Sequence, residues 1–345
     1  MASAFDDLSW SPPSHWTRIK TIDMHTGGEP LRVITSGLPP IEGRTVLEKR
    51  SYFREHYDHL RTGLMWEPRG HADMYGAVVT TSESADLDVF FLHNEGYSTM
   101  CGHAIIALTT LAVETGHVRA SNGEAYLTIN VPAGTVQAHA VVRDGKAVAV
   151  SFRNVASFAY LRNQSIEVPG IGSVRFDIAY GGAFYAIVAA EPLGLELTEH
   201  QYNRLIDHGR RIKNAVMAQH PIEHPFEREL SFLYGTIFTG PAAEPRHHSR
   251  NVTIFAEGEV DRSATGSGVS ARAALHHANG ELREGEEITI EGILGSTMSV
   301  RVVDKMKFGP YDAVTPEVSG TACYTGRHEF WFDPADRLNR GFIFR

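Results

Sequence analysis

The chain has 345 residues, 42% of them apolar, which is enough to bury a sizeable core and long enough to favour two domains over one. Its 32 Lys and Arg against 41 Asp and Glu leave a net charge of −9 without a basic stripe, which argues against nucleic acid as a partner. No uncharged run has the length and apolarity of a membrane span, and two cysteines in unlike contexts are too few for a disulfide framework, so a reducing, cytoplasmic setting without membrane contact is the expectation.

The start, MASAFDDLSW, carries acidic residues where a signal or transit peptide needs basic ones, so no targeting segment is expected. Residues 1–16 read as a Ser-, Pro- and Trp-rich extension without catalytic content. Residues 17–36 alternate apolar and polar positions on both sides of Gly27-Gly28, a strand, a tight turn and a second strand. His25 and Glu29 flank that turn, where their ordinary role is to satisfy backbone groups. Residues 44–61 alternate charges and place Val46, Leu47, Phe53, Tyr57 and Leu60 on one face, which predicts a surface helix. EPRGHADMYGAVVTT turns at Pro68 and Gly70 and enters a strand, with Arg69 and His71 either in a cleft or simply meeting water.

Residues 86–93, DLDVFFLH, form a strand leading into YSTMCGHAIIALTTLAV at residues 97–113. Ser98 and Thr99 are capping types, and from Ala104 the run is apolar nearly all round, so a buried helix is predicted with Cys101 in its first turn. Unpaired N–H groups and the positive end of the helix dipole favour a thiolate there, and Gly102 lets a small ligand approach the amides. The competing reading of Cys101 is a small buried hydrophobe that only packs. Strands follow to about residue 150.

The second half opens with short strands broken at Pro169-Gly170 and Gly181-Gly182; a double glycine inside a strand pattern points to a close backbone approach. Residues 198–219 predict a second surface helix, and 220–250 read as loop-rich. His247 and His248 are neighbours that point apart, without a ligand spacing that suits zinc or a di-iron centre, so no metal is expected. Residues 261–277, DRSATGSGVSARAALHH, repeat the pattern of residues 97–113: capping types, a small side chain at Thr265, Gly266 beside it, then a helix. The two X-Gly pairs lie 265 − 101 = 164 positions apart, near half the chain length, as a duplicated unit facing itself across a cleft requires. Residues 286–332 return to strands with turns at Gly292, Gly295 and Gly320, and Cys323, in the turn TACYTG and beside no helix start, reads as structural.

IDMHTGGEP (22–30), EPRGHADMYGA (67–77), MCGHAIIAL (100–108), VPAGT (131–135), AYGGAFYAIV (179–188), DRSATGSG (261–268) and FDPADRLNRGF (332–342) together resemble the proline racemase family, in that family's order and across essentially the whole chain. The resemblance implies a mixed α/β fold of two pseudo-symmetric domains, of the proline racemase and diaminopimelate epimerase kind. Each domain is a curved, mostly antiparallel sheet wrapped around a central helix, with the active site in the cleft between them. The expected units are residues 1–150 plus 325–345, the last strand crossing back, and residues 151–324. Racemases and hydroxyproline epimerases of the family carry a cysteine in each helix-start motif. This chain has Thr265 at the second, a departure shown by the family's trans-3-hydroxy-L-proline dehydratase branch.

By that resemblance Cys101 is the base, with Thr265 at the opposite face. Gly102 and His103 on one side, and Gly266 and Ser267 on the other, hold the carboxylate, while Asp261 accepts from the ring nitrogen. The expected reaction is loss of water from trans-3-hydroxy-L-proline to give Δ1-pyrroline-2-carboxylate, with no cofactor and a small imino acid as the partner. A racemase or epimerase of the same family is the nearest alternative, and a non-catalytic binding protein for small amino acids is one of another class. A hydrolase using Cys101 and His103 is disfavoured, since two positions apart at a helix start is an awkward spacing for a nucleophile and an oriented imidazole. Oligomeric state is left open, a homodimer included.

Overall fold

The computed structural model describes residues 10–344; the acidic start of the chain, residues 1–9, lies outside the described residues. In the N-terminal half the strands are β1 (Thr17–Thr26), β2 (Glu29–Ser36), β3 (Tyr75–Thr80), β4 (Leu87–His93), β5 (Gly96–Ser98), β6 (Glu124–Val131), β7 (Gly134–Arg143) and β8 (Lys146–Arg153). Helix α1 (Val46–Met65) sits between β2 and β3, and α2 (Gly102–Glu114) between β5 and β6. The C-terminal half adds β9 (Ser157–Val168), β10 (Gly172–Tyr180), β11 (Phe184–Ala189), β12 (Leu233–Gly240), β13 (Ser249–Phe255), β14 (Glu259–Val260), β15 (Glu287–Glu291), β16 (Thr297–Phe308), β17 (Tyr311–Gly320) and β18 (Ala322–Phe332). Helix α3 (Tyr202–Gln219) lies between β11 and β12, and α4 (Gly266–Ala278) between β14 and β15.

Strand pairing repeats. From β1 to β8 the contacts run antiparallel β1–β2, parallel β2–β3, antiparallel β3–β4 and β4–β5, parallel β4–β6, then antiparallel β6–β7 and β7–β8. From β10 to β17 the same succession recurs pair for pair. Strand β9 pairs antiparallel with β10, and β18 returns from the far end of the chain to pair antiparallel with β1 over its whole length. Because β17 also hydrogen-bonds β9, the C-terminal half closes into a ring, and because β17 pairs with β8 the two halves share a continuous sheet.

The curved sheets wrap α2 and α4. From Gly102 to Thr110 every α2 residue is buried, as are Gly266 to Leu275 of α4, and both helices join one apolar cluster. A helix that is apolar all round has no solvent face to offer, and this is where it is stable. The other two helices lie outside. Helix α1 opens with a capping box, Thr45 accepting from the Glu48 amide and Glu48 from the Thr45 amide, and buries Val46, Phe53 and Leu60. Helix α3 packs against β12 and β13, burying Leu205, Ile212 and Val216.

Three local expectations are corrected. Ser98 ends β5, and Thr99 donates to the Gly182 carbonyl at 2.6 Å, so neither caps α2; Cys101 itself is the N-cap. The region read as loop contains β12, whose buried Leu233, Ile237 and Phe238 pair with both β11 and β13. Cys323 lies within β18, opposite His25, and is exposed.

Candidate active site

Each central helix follows a strand and a tight approach, so its first amides point at the space between the two helix starts. There α2 and α4 meet backbone to backbone. A Cβ placed on Gly102 would come within 2.7 Å of the Gly266 Cα, and one on Gly266 within 2.7 Å of the Gly102 Cα. Real Cβ atoms do not approach that closely, so only glycine at both positions lets the two helix starts come this near. The double glycine singled out in the sequence serves the same end: a Cβ on Gly181 would strike the Ser267 carbonyl at 2.1 Å, and one on Gly182 the Met100 side chain at 2.6 Å.

Between the helix starts lies a narrow cavity lined by Glu29, Tyr75, Met100, Cys101, Gly102, His103, Tyr185, Tyr234, Phe255, Asp261, Thr265, Gly266 and Ser267. All seven site residues expected from the sequence line it. A larger cleft lies elsewhere, around Phe176, Asp177 and Thr239, and contains neither cysteine nor histidine.

The Cys101 sulfur accepts from the Ala104 amide at 3.4 Å, the first-turn contact a thiolate uses. The site is nonetheless sealed. Cys101 is only 4% exposed, and burial pushes its thiol well above the usual range, outweighing the Ala104 amide and a hydrogen bond from Tyr75; Asp261 and Glu29 push the same way as burial. The thiolate expected from the helix start is therefore not the resting form. Desolvation beats the helix terminus in the closed site.

His103 contacts the sulfur, with Nδ1 at 3.2 Å and Nε2 at 3.5 Å. The spacing judged awkward in the sequence thus brings the two into contact. Near-equal distances put the sulfur in line with neither ring nitrogen, so the contact lacks the directed geometry of a nucleophile and its base. Burial lowers the His103 pKa and keeps the ring neutral.

Across the cavity Thr265 caps α4 at φ 67°, ψ 92°, a left-handed conformation that costs a β-branched residue about 1–3 kcal/mol. Its hydroxyl donates to Thr253 Oγ1 at 2.7 Å, and its amide donates to Ser263 Oγ at 3.0 Å. Asp261 Oδ1 accepts from the Ser263 amide and hydroxyl at 2.8 and 2.7 Å, which fixes the carboxylate in the cavity wall. Ser267 shares a hydrogen bond of 2.7 Å with the Tyr185 hydroxyl.

Sequence reasoning passed over several lining residues. Glu29, placed at a turn and read as backbone support, is fully buried; its Oε2 accepts from the Arg262 amide at 2.7 Å, and among the described residues its Oε1 has no partner. Burial, then Asp261, raises its pKa well above the carboxylate range. Tyr75, Tyr185, Tyr234 and Phe255 come from strands of both halves, where each reads as ordinary core. Arg69 and His71, by contrast, stay out of the cavity. Arg69 donates to the Trp331 and Asn339 carbonyls and lies 4.2 Å over the Phe332 ring, while His71 is exposed. His25 accepts from the Gly28 amide at 3.2 Å, the turn-supporting role expected of it.

A family model described as proline racemase matches residues 21–343, nearly the whole of the chain. The chain belongs to the proline racemase family. Within the family it is 50% identical to a trans-3-hydroxy-L-proline dehydratase of Colwellia psychrerythraea, covering 97% of this chain and 96% of the relative. It is 45% identical to the trans-3-hydroxy-L-proline dehydratase of Homo sapiens, with 95% of each covered. A 3-hydroxyproline 2-epimerase of Burkholderia multivorans is 43% identical over 95% of this chain and 98% of its own. Among solved structures, a hydroxyproline epimerase from Agrobacterium vitis with bound trans-4-hydroxy-L-proline superposes with a TM-score of 0.89 at 29% identity, over 95% of this chain and 96% of that one. The mixed α/β fold with few helices is the fold of this family.

Proposed function

We propose that the chain is a hydro-lyase that removes water from trans-3-hydroxy-L-proline and yields Δ1-pyrroline-2-carboxylate, the activity for which its relatives from Colwellia psychrerythraea and Homo sapiens are named. The observation that carries the reading is the unequal pair at the two facing helix starts, a thiol at Cys101 and a hydroxyl at Thr265. In this reading Cys101 as thiolate takes the α-proton. Amides and side chains at Gly102, His103, Gly266 and Ser267 hold the carboxylate while charge builds on the α-carbon, and Asp261 holds the positively charged ring nitrogen, which acidifies that carbon. An alkanol is a far weaker acid than a thiol, so Thr265 cannot readily return a proton to the opposite face. The electron pair left on the α-carbon instead forms the C2–C3 double bond and expels the 3-hydroxyl; the resulting enamine tautomerises to the pyrroline.

No cofactor enters this scheme, because the helix starts supply the donors. We also infer two units, residues 1–150 with 325–345 and residues 151–324, a division supported by the repeated strand pairing. A cytoplasmic setting suits two free cysteines, one of which must ionise to act. Among the described residues no helix is long and apolar enough to cross a membrane.

The test is incubation of the purified protein with trans-3-hydroxy-L-proline and detection of pyrroline-2-carboxylate, trapped as proline by borohydride. The name of the Burkholderia multivorans relative favours a second reading, epimerisation at the α-carbon. Run in D2O, that reaction gives α-deuterated product with its hydroxyl intact, and such a product without pyrroline overturns the dehydratase reading.

A further inference from the structure

In trans-3-hydroxy-L-proline the 3-hydroxyl and the carboxylate lie on opposite ring faces, so the hydroxyl shares a face with the α-hydrogen. A base at Cys101 therefore removes hydrogen from the face that the hydroxyl must leave. Hydroxide leaves poorly without a proton, and the group that supplies one has to stand on the Cys101 side of the cavity. Thr265 stands on the other side, with its hydroxyl turned to Thr253.

Of the proton-bearing side chains that line the cavity, His103 touches the Cys101 sulfur and Tyr75 touches the His103 ring, whereas Glu29 is tied to the Arg262 amide of the other half. Both His103 ring nitrogens lie against the Cys101 sulfur, at 3.2 and 3.5 Å, so the single proton of its neutral ring is held at the thiol. Tyr75 opens β3 on the cavity wall and is 3% exposed. Its ring stands edge-on to His103 at 4.9 Å between centroids, and its hydroxyl pairs with Ser98 Oγ, itself fully buried. Tyr75 and Cys101 line the same cavity and both touch the His103 ring. Acid and base thus stand side by side.

Resting on the dehydratase reading, we propose that Tyr75 is the general acid that protonates the departing 3-hydroxyl. The atoms balance without a co-reactant. Cys101 thiolate takes the α-proton, the C–H pair becomes the C2–C3 double bond, and the C3–O bond breaks with its pair on oxygen. That oxygen takes the Tyr75 proton and leaves as water, and the tyrosinate recovers a proton from the Cys101 thiol. Both residues return to their starting forms, and the α-hydrogen has been relayed to the leaving oxygen.

Tyr75→Phe tests the assignment in two assays. With trans-3-hydroxy-L-proline in D2O, pyrroline formation is expected to fall by about 100-fold or more while the recovered substrate gains deuterium at the α-carbon. With trans-3-fluoro-L-proline, whose fluoride departs without a proton, elimination is expected to stay near the unsubstituted protein's rate. Unchanged dehydration overturns the proposal, as does loss of deuterium uptake and fluoride release together with dehydration, which marks Tyr75 as support for the cavity. Should the unsubstituted protein exchange the α-hydrogen but form no pyrroline, the dehydratase reading itself falls, and this assignment with it.

Discussion

Cys101 faces two opposed demands, burial that excludes water from the reaction and ionisation that burial resists. Because burial holds its thiol well above the usual range, the thiolate fraction of the free protein climbs as pH rises through neutrality into the alkaline range. The corresponding expectation is that kcat/KM increases over that interval, and a pH profile flat from neutral upward would remove Cys101 ionisation from the rate. Cys101→Ser is expected to abolish turnover, while Cys323→Ser, an exposed thiol on β18, leaves it unchanged; pyrroline formation by each purified variant checks both. Thr265→Cys restores an acid to the second face, so α-deuterated epimer should accumulate in D2O where the parent gives none. Cys101 and Thr265 were legible in the sequence because a small residue before glycine at a helix start is a local pattern. Tyr75, Tyr185 and Phe255 were not, since a buried aromatic on a strand looks the same whether it faces a core or a cavity. Glu29 was hidden for a similar reason: only the arrival of the Arg262 amide, over two hundred positions away, turns a turn residue into part of a wall.

At the scale of elements, what assembles the site is the contact of α2 and α4 through two bare α-carbons. Gly102→Ala places a methyl against the Gly266 backbone and the Phe152 ring, at 2.7 and 2.9 Å. Neither neighbour is the far end of a flexible chain, so the helix starts must part. The expected cost is about 1–3 kcal/mol of stability, with a larger loss of activity than of folding. Thermal unfolding and turnover measured on the same preparation separate the two. The central helices were readable from their apolar runs and glycines, as was α1 from its charged and apolar faces. β12 escaped because prolines on both sides at 225 and 241 suggested loop, whereas Leu233, Ile237 and Phe238 are held by strands on either flank.

The whole molecule depends on its last strand. β18 covers one edge of β1 from residue 17 to residue 26 and touches α2, so the N-terminal half is incomplete without a segment some three hundred positions further along the chain. Truncation after Gly320 uncovers that edge and is expected to lower Tm by roughly 10 °C or more, at about 2–4 °C for each kcal/mol lost, with activity abolished. Circular dichroism melts of the truncated and full chains decide this.

The chamber is also fastened from outside the helix starts. Arg50 meets Glu229 at 2.5 Å, Arg262 meets Asp73 at 2.6 Å, Tyr202 meets Asp73 at 2.8 Å, and His93 meets Glu259 at 3.0 Å, each pair joining residues from opposite halves of the chain. With Cys101, His103, Asp261 and Thr265 all at most 5% exposed, no solute reaches them while these fasteners hold. For a ring-sized solute to reach them some of these contacts must give, so the rate of that opening sets an upper bound on how fast the thiol can be used, however reactive it becomes.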